Sequence, residues 1–282
     1  MAENMETLNT QNDNRSRYVG HTDLRKHFTD CKVNPGHDNL IPITRFTLDH
    51  LPLRYRDDDV LKLVLGLSYL TVMLKVSYTS MKRPNAVSCL SGQYPGYDMR
   101  GSDVLRTGTG FVIGVDIHSD TAAYGPCRCK NCVGKDQLKP SGEIIVLTAR
   151  HVVFDESEAK LTRCVLDFDE NNSTVVNLDE WRVEWADSES DRCALRYVTC
   201  DMDLLKRLDR AYKRFDDLFV IVCDRYKEFA EEDRLAVMVS HPHGCPKHVT
   251  VGQWEVKDIR GEYKRWMASV CPGTGGANVF RP

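Results

Sequence analysis

The chain has 282 residues, 41% hydrophobic and 28% charged, a composition typical of globular proteins and long enough to bury a sizeable core. Its net charge of −3 provides no basic field for nucleic acid or acidic lipid, so we expect no nucleic-acid or membrane partner. The polar N-terminus lacks the basic start and apolar stretch of a secretory signal, which predicts an intracellular, cytoplasmic protein. The eleven cysteines are an odd number in a long chain, so we expect reduced thiols, some of them candidates for metal binding.

The first 69 residues are predicted to form an N-terminal extension that is partly disordered and partly helical. Residues 1–20 are polar, which is typical of disordered segments. Residues 59–69 are predicted to be a helix, because the acidic residues at 57–59 favour the positive end of a helix dipole. Residues 70–78 alternate apolar and polar side chains and are predicted to form the first strand of the next unit.

Short strands separated by turns dominate the rest of the chain. A loop is predicted at 82–106, where the basic pair Lys82 and Arg83 is interpreted as solvated charge. Apolar residues between 204 and 229 recur with a period of ~3.6, which predicts one inserted helix. The residues therefore indicate a mainly β barrel or sandwich. The predicted strands lie at 111–115, 143–148, 164–169, 175–178, 181–185, 193–200, 235–239 and 249–256.

Three segments, in this order, resemble the trypsin-like (chymotrypsin-fold, PA clan) serine proteases. Residues 108–113 (GTGFVI) look like the strand before the catalytic histidine, and residues 147–153 (LTARHVV) resemble the strand that delivers this histidine. Residues 271–279 (CPGTGGANV) fit the spacing of the nucleophile turn. The resemblance implies a chymotrypsin-like double β-barrel over residues 70–282, with the boundary between the two barrels near 200–235.

The resemblance also implies the site residues. His151 takes the position of the general base. The orienting carboxylate is less clearly marked, and we favour Asp203, followed by Asp217 and then Asp201, because the family places an aspartate after a strand. The nucleophile position is Gly275, which has no hydroxyl and cannot form an acyl-enzyme.

The backbone around Gly275 retains features of the family. The oxyanion donors implied by the resemblance are the N–H groups of Gly273 and Gly275, and glycine suits the strained turn that carries them. Thr274 and Cys271 are alternative nucleophiles, although Thr274 is one residue out of register. Only residues 278–282 follow the turn, where the family has two more strands. We therefore expect a second barrel that is incomplete or closed by a different element, or a chain that is part of a longer product.

A cysteine cluster at Cys127, Cys129 and Cys132 has three thiols in six residues, which suits zinc. The candidates for a fourth ligand are His241, His243 and Cys245. A structural zinc and reduced cysteines in a loop remain alternatives, and no other cofactor is expected.

Three functions follow from these observations. The first is a serine protease homologue, or pseudoprotease, that retains a cleft for a peptide or protein but does not cut it. The second is an active serine-type endopeptidase that uses Thr274 or Cys271 as a surrogate nucleophile. The third is a zinc-stabilised protein-interaction module built on the same fold.

Overall fold

The computed structural model describes residues 6–7, 31–32, 34–86, 93–133, 135, 138–228, 235–256, 264–266 and 271–280. The segment predicted to be disordered, residues 1–20, lies outside this description except for a two-residue strand at Glu6–Thr7. In the described part of the chain, no helix combines the length and apolar character that crossing a membrane requires.

Two antiparallel sheets form the framework, and the prediction of a mainly β fold is confirmed. The first sheet has the order β7-β6-β3-β4-β5-β9-β8, and the second has the order β1-β13-β10-β11-β12, with β2 also paired to β11. The strands are β1 (Glu6–Thr7), β2 (Ile41–Pro42), β3 (Thr71–Val76), β4 (Arg106–His118), β5 (Ser141–Ala149), β6 (Thr162–Leu166), β7 (Val176–Asp179), β8 (Arg182–Asp187), β9 (Arg192–Thr199), β10 (Leu235–Ser240), β11 (His248–Val256), β12 (Lys264–Trp266) and β13 (Asn278–Phe280).

The N-terminal extension contributes two strands to the second sheet. Glu6–Thr7 pairs with β13, and Ile41–Pro42 pairs with β11. A strand edge without a partner is prone to non-specific association with other chains. β13 pairs with β10 on one side, and β1 pairs with its other side. A segment of the N-terminal extension therefore pairs with the strand that follows the turn at 271–277.

Four α-helices accompany the sheets in the described part of the chain: α1 (Asp58–Leu70), α2 (Thr121–Tyr124), α3 (Glu156–Ala159) and α4 (Met202–Tyr226). The predicted helices at 59–69 and 204–229 correspond to α1 and α4. The Asp57 side chain caps α1 by accepting the Asp59 N–H. The apolar faces of α1 and α4 pack against each other, and side chains from both sheets join them in one hydrophobic core.

Candidate active site

His151 lies two residues beyond the carboxyl end of β5, an interior strand of the first sheet. Ala149 at the end of β5 pairs with Arg192 at the start of β9. One residue later, the Arg150 N–H donates to the Asp191 carbonyl at 2.9 Å, which continues the ladder beyond the strand ends. The register of β5 against β9 therefore places His151 beside Asp191.

His151 and Asp191 form a buried pair. The imidazole Nδ1 lies 2.5 Å from Asp191 Oδ2, and the His151 backbone N–H donates to Oδ1 at 2.9 Å. In the tautomer of a neutral imidazole that donates from Nδ1 to this carboxylate, Nε2 is the nitrogen that can accept a proton. This is the orientation that a general base requires.

The carboxylate beside His151 is thus Asp191, which corrects the expectation of Asp203 or Asp217. Asp203 and Asp217 are exposed residues of α4, in its first turn and its second half. Asp201, the third candidate, caps α4 by accepting a backbone N–H from the first turn. These carboxylates follow β9, whereas the partner of His151 precedes it.

Asp191 lies in the tight turn between β8 and β9, with a left-handed φ of 51°. The signal available in the sequence is its place as an acidic residue between the predicted strands at 181–185 and 193–200. The family pattern of an aspartate after the strand at 193–200 does not select Asp191, which precedes that strand.

The turn at 271–277 is fastened to β4 of the first sheet. The Thr109 N–H donates to the Gly275 carbonyl at 2.8 Å, and Thr109 Oγ1 donates to the Gly273 carbonyl at 2.8 Å. The same Oγ1 accepts the His241 N–H at 3.0 Å. Thr109, from the GTGFVI segment, therefore connects β4 with two loops of the second sheet.

Gly275 faces the acceptor nitrogen of His151. An ideal Cβ built on Gly275 would lie 2.6 Å from His151 Nε2 and 3.3 Å from Val152 Cγ2. Atoms in van der Waals contact lie ~3.5 Å apart, so the imidazole occupies part of the space that a side chain at 275 needs. Glycine itself presents no hydroxyl or thiol that Nε2 could activate.

Two backbone donors lie next to this position. Within the described residues, neither Gly273 nor Gly275 donates its N–H to a hydrogen bond. Gly273 has a φ of +92°, and an added Cβ would lie 2.5 Å from the His241 carbonyl oxygen, so only glycine fits there. Such unpaired N–H groups suit an oxygen acceptor.

The two alternative nucleophiles are buried and have partners other than His151. Thr274 is 1% exposed, and its Oγ1 donates to the Cys271 carbonyl at 2.7 Å. The Cys271 thiol is also buried and lies 3.9 Å from the Cys31 sulfur. The residue of this turn whose added Cβ would meet His151 Nε2 is Gly275.

A buried ion cluster supports the loop that carries His151. Glu158 accepts from Arg83 through both carboxylate oxygens, at 2.6 and 2.7 Å, and from Arg106 at 2.8 Å. Arg83 also donates to the His151 carbonyl at 3.0 Å, and Arg106 donates to the Val152 carbonyl at 2.9 Å. The Arg83 side chain is fully buried, so its interpretation as solvated charge is wrong.

The predicted cysteine cluster is closed by a fourth thiol. Cys127, Cys129 and Cys132 meet Cys200 at the end of β9, and the four sulfurs lie within 4.8 Å of one another. The sulfur of Cys200 is 3.6 Å from that of Cys129 and 3.9 Å from that of Cys132. Four thiols at such distances suit a tetrahedral zinc ion.

The fourth ligand expected from the sequence was different. His241 donates from Nδ1 to the Cys245 carbonyl at 2.9 Å, and burial lowers its pKa to about 3, so it remains neutral. His243 lies beside His37, with the two Nε2 atoms 3.2 Å apart. His241, His243 and Cys245 are therefore not part of this cluster, and its fourth member is Cys200.

The solved structures that match this chain over most of its length include two proteases. One is the serine endoprotease from Yersinia pestis, which is 12% identical, with a TM-score of 0.37 over 81% of this chain and 54% of that one. The other is the HtrA-type protease AlgW with a decapeptide, also 12% identical, with a TM-score of 0.37 over 78% of this chain and 54% of that one. The chain thus spans about half the length of both proteins. No protein-family model and no curated protein matches the sequence.

Proposed function

We propose that this chain is a trypsin-like serine protease homologue that binds a peptide segment at His151 and does not cut it. The observation that carries the proposal is the position of Gly275 against His151 Nε2, where an added Cβ would lie at 2.6 Å. The base and its carboxylate are in place, but the group that would attack a peptide carbonyl is missing.

The ligand we propose is an extended peptide whose carbonyl or terminal carboxylate accepts from Gly273 and Gly275. Both N–H groups lack an acceptor within the described residues and lie on a turn held by Thr109. Backbone donors that are fixed in advance bind an oxygen without reorganising. The same donors that would stabilise an oxyanion thus serve here to hold an uncleaved ligand.

The alternative of an endopeptidase with a surrogate nucleophile is not supported by the positions of the candidates. The Thr274 hydroxyl already donates to a backbone carbonyl, and a nucleophile needs the base within about 2.6–3.2 Å. Cys271 is likewise buried beside Cys31.

Peptide binding at this turn has a direct measurement. Peptides selected from a mixed library against the chain are expected to shift the amide NMR signals of Gly273 and Gly275 and the ring signals of His151. The exposed variant Asp217→Asn is the matched control and should bind equally well. Binding that leaves these signals unchanged would place the ligand elsewhere and contradict the proposed site.

We also propose that Cys127, Cys129, Cys132 and Cys200 hold a structural zinc ion. The supporting observations are the four convergent sulfurs and the burial of the first three side chains. All four positions of the tetrahedron would be protein ligands, which is the pattern of structural rather than catalytic zinc. The ion would join the 127–132 loop to β9.

Substituting Cys200→Ser is expected to remove about one zinc ion per chain, because three thiolates bind the metal less tightly than four. Elemental analysis of the purified chain measures this loss, and Cys223→Ser, on α4 and outside the cluster, is the control. Equal zinc content in both variants would show that the four cysteines do not bind the metal.

A further inference from the structure

A second group of metal-binding side chains meets where the turn at 271–277 begins. Cys31, His37, His243 and Cys271 come from three separate stretches of the chain, and their ligand atoms all lie within 4.8 Å of one another. His37, His243 and Cys271 are buried, and Cys31 is half-buried. The group shares no residue with the four-cysteine cluster.

The spacing of the ligand atoms fits a tetrahedral ion. The Cys31 and Cys271 sulfurs are 3.9 Å apart, and the Nε2 atoms of His37 and His243 are 3.2 Å apart. A zinc ion with Zn–S bonds of ~2.3 Å and Zn–N bonds of ~2.0–2.1 Å gives tetrahedral edges of ~3.8 and ~3.3 Å. Both observed edges agree with these values, and the sulfurs are too far apart for a disulfide bond of ~2.05 Å.

The backbone at both histidines is an independent observation. His37 and His243 have left-handed φ values of 53° and 55°. Such conformations are uncommon for residues other than glycine, and they persist where other interactions hold them, typically at functional sites. A metal bound by both imidazoles would supply that constraint.

The surroundings of the first sulfur also suit a metal ligand. The Asn34 N–H points at Cys31 Sγ from 3.4 Å. Backbone donors of this kind stabilise a thiolate and fix its orientation at metal sites. Two thiolates and two imidazoles are a ligand set that zinc accepts readily.

We propose that Cys31, His37, His243 and Cys271 bind a second zinc ion. Four protein ligands leave no open position, so this ion is structural. The ion would lie next to the turn at 271–277. Cys271 is two residues before Gly273, and the His243 N–H donates to the Pro272 carbonyl at 2.5 Å. The ion therefore ties the segment 31–37 to the turn that carries the two backbone donors.

Elemental analysis of the full chain and its variants tests this site separately from the four-cysteine cluster. His37→Ala and Cys31→Ser are each expected to lose about one zinc ion per chain while the four-cysteine ion remains. Cys223→Ser should lose none. Hydrogen exchange is expected to become faster at the amides of the 271–277 turn in His37→Ala and to stay unchanged in the 127–132 loop. Unchanged zinc content in both His37→Ala and Cys31→Ser would overturn the proposal.

A measurement on the unaltered chain decides the case in which these variants do not fold. Anomalous diffraction recorded at the zinc edge is expected to give a peak among the four ligand atoms, about 2.0–2.3 Å from each. A map with no peak at this position, from zinc-replete protein, would overturn the proposal regardless of what the four-cysteine cluster binds.

Discussion

Replacing Gly275 with serine is expected to convert the chain into a slow peptidase. The new hydroxyl would lie beside His151 Nε2. The other ring nitrogen of His151, Nδ1, lies 2.5 Å from Asp191 Oδ2. The N–H groups of Gly273 and of residue 275 have no acceptor within the described residues. All the parts of the acyl-transfer machinery would then be present.

The size of the gain follows from two opposing effects. Removing the serine from a protease with this chemistry lowers kcat by about 10⁶-fold. The Cβ at 275 would start only 2.6 Å from Nε2, so the ring or the turn must move by roughly 1 Å, and misplacement of that size costs about 10²-fold. We therefore expect hydrolysis on the order of 10⁴-fold above background, measured as peptide turnover by mass spectrometry.

Matched variants distinguish the effect of the serine hydroxyl from that of the added side-chain volume at position 275. They also test which carboxylate orients His151. Gly275→Ala adds the same Cβ without the hydroxyl and should stay inactive. In the Gly275→Ser background, Asp191→Asn is expected to lower turnover by about 10⁴-fold, because the imidazole takes the wrong tautomer. Asp203→Asn should leave turnover unchanged, since this side chain is exposed on α4. The reverse order of these two effects would contradict the assignment of Asp191.

Removing the Glu158 carboxylate is expected to have the largest effect on stability. Its side chain is fully buried and accepts from Arg83 and Arg106, whose side chains are 0% and 9% exposed. Breaking a buried ion pair by deleting one partner leaves an uncompensated charge and costs about 3–5 kcal/mol. Glu158→Ala should lower the free energy of unfolding by this amount in urea denaturation. Glu170→Ala, at an exposed site, is the control and should change it by less than about 0.5 kcal/mol.

The same carboxylate makes stability depend on pH in a predictable direction. Burial alone would raise the pKa of Glu158, but its hydrogen bond to Arg83 and the charge of Arg106 outweigh burial and hold the pKa below its usual value. Because the pKa of Glu158 is lower in the folded state than in the unfolded state, its contribution to stability is complete above the unfolded pKa of ~4.3. This contribution is lost as the pH falls through the pKa of the folded state. The difference in unfolding free energy between the native chain and Glu158→Gln should therefore shrink below about pH 4. A difference that grows on acidification would contradict the direction of this shift.

Local patterns in the sequence were sufficient to predict most elements of the fold. The period of ~3.6 over residues 204–229 corresponds to α4, and the apolar run at 143–148 lies within β5. These patterns reflect interactions between near neighbours along the chain. Their bounds differ by a few residues because strand ends depend on pairing with distant partners.

The features that the sequence did not predict depend on long-range contacts. Arg83 resembles surface charge until Glu158, 75 residues away, is seen to face it in the core. Cys200 is 71 residues from Cys129, and only the register of β9 brings them together. Asp191 was missed for a related reason, since its role depends on the pairing of β5 with β9 rather than on its neighbours in sequence.

The most direct test of the account is the fate of a mixed peptide library incubated with the unaltered chain beside its His151→Ala variant. The position of Gly275 against His151 predicts no cleavage above background in either sample, although peptides bind to the unaltered chain. Cleavage by the unaltered chain that disappears in His151→Ala would contradict the account, because it would require a nucleophile that the site around Gly275 does not contain.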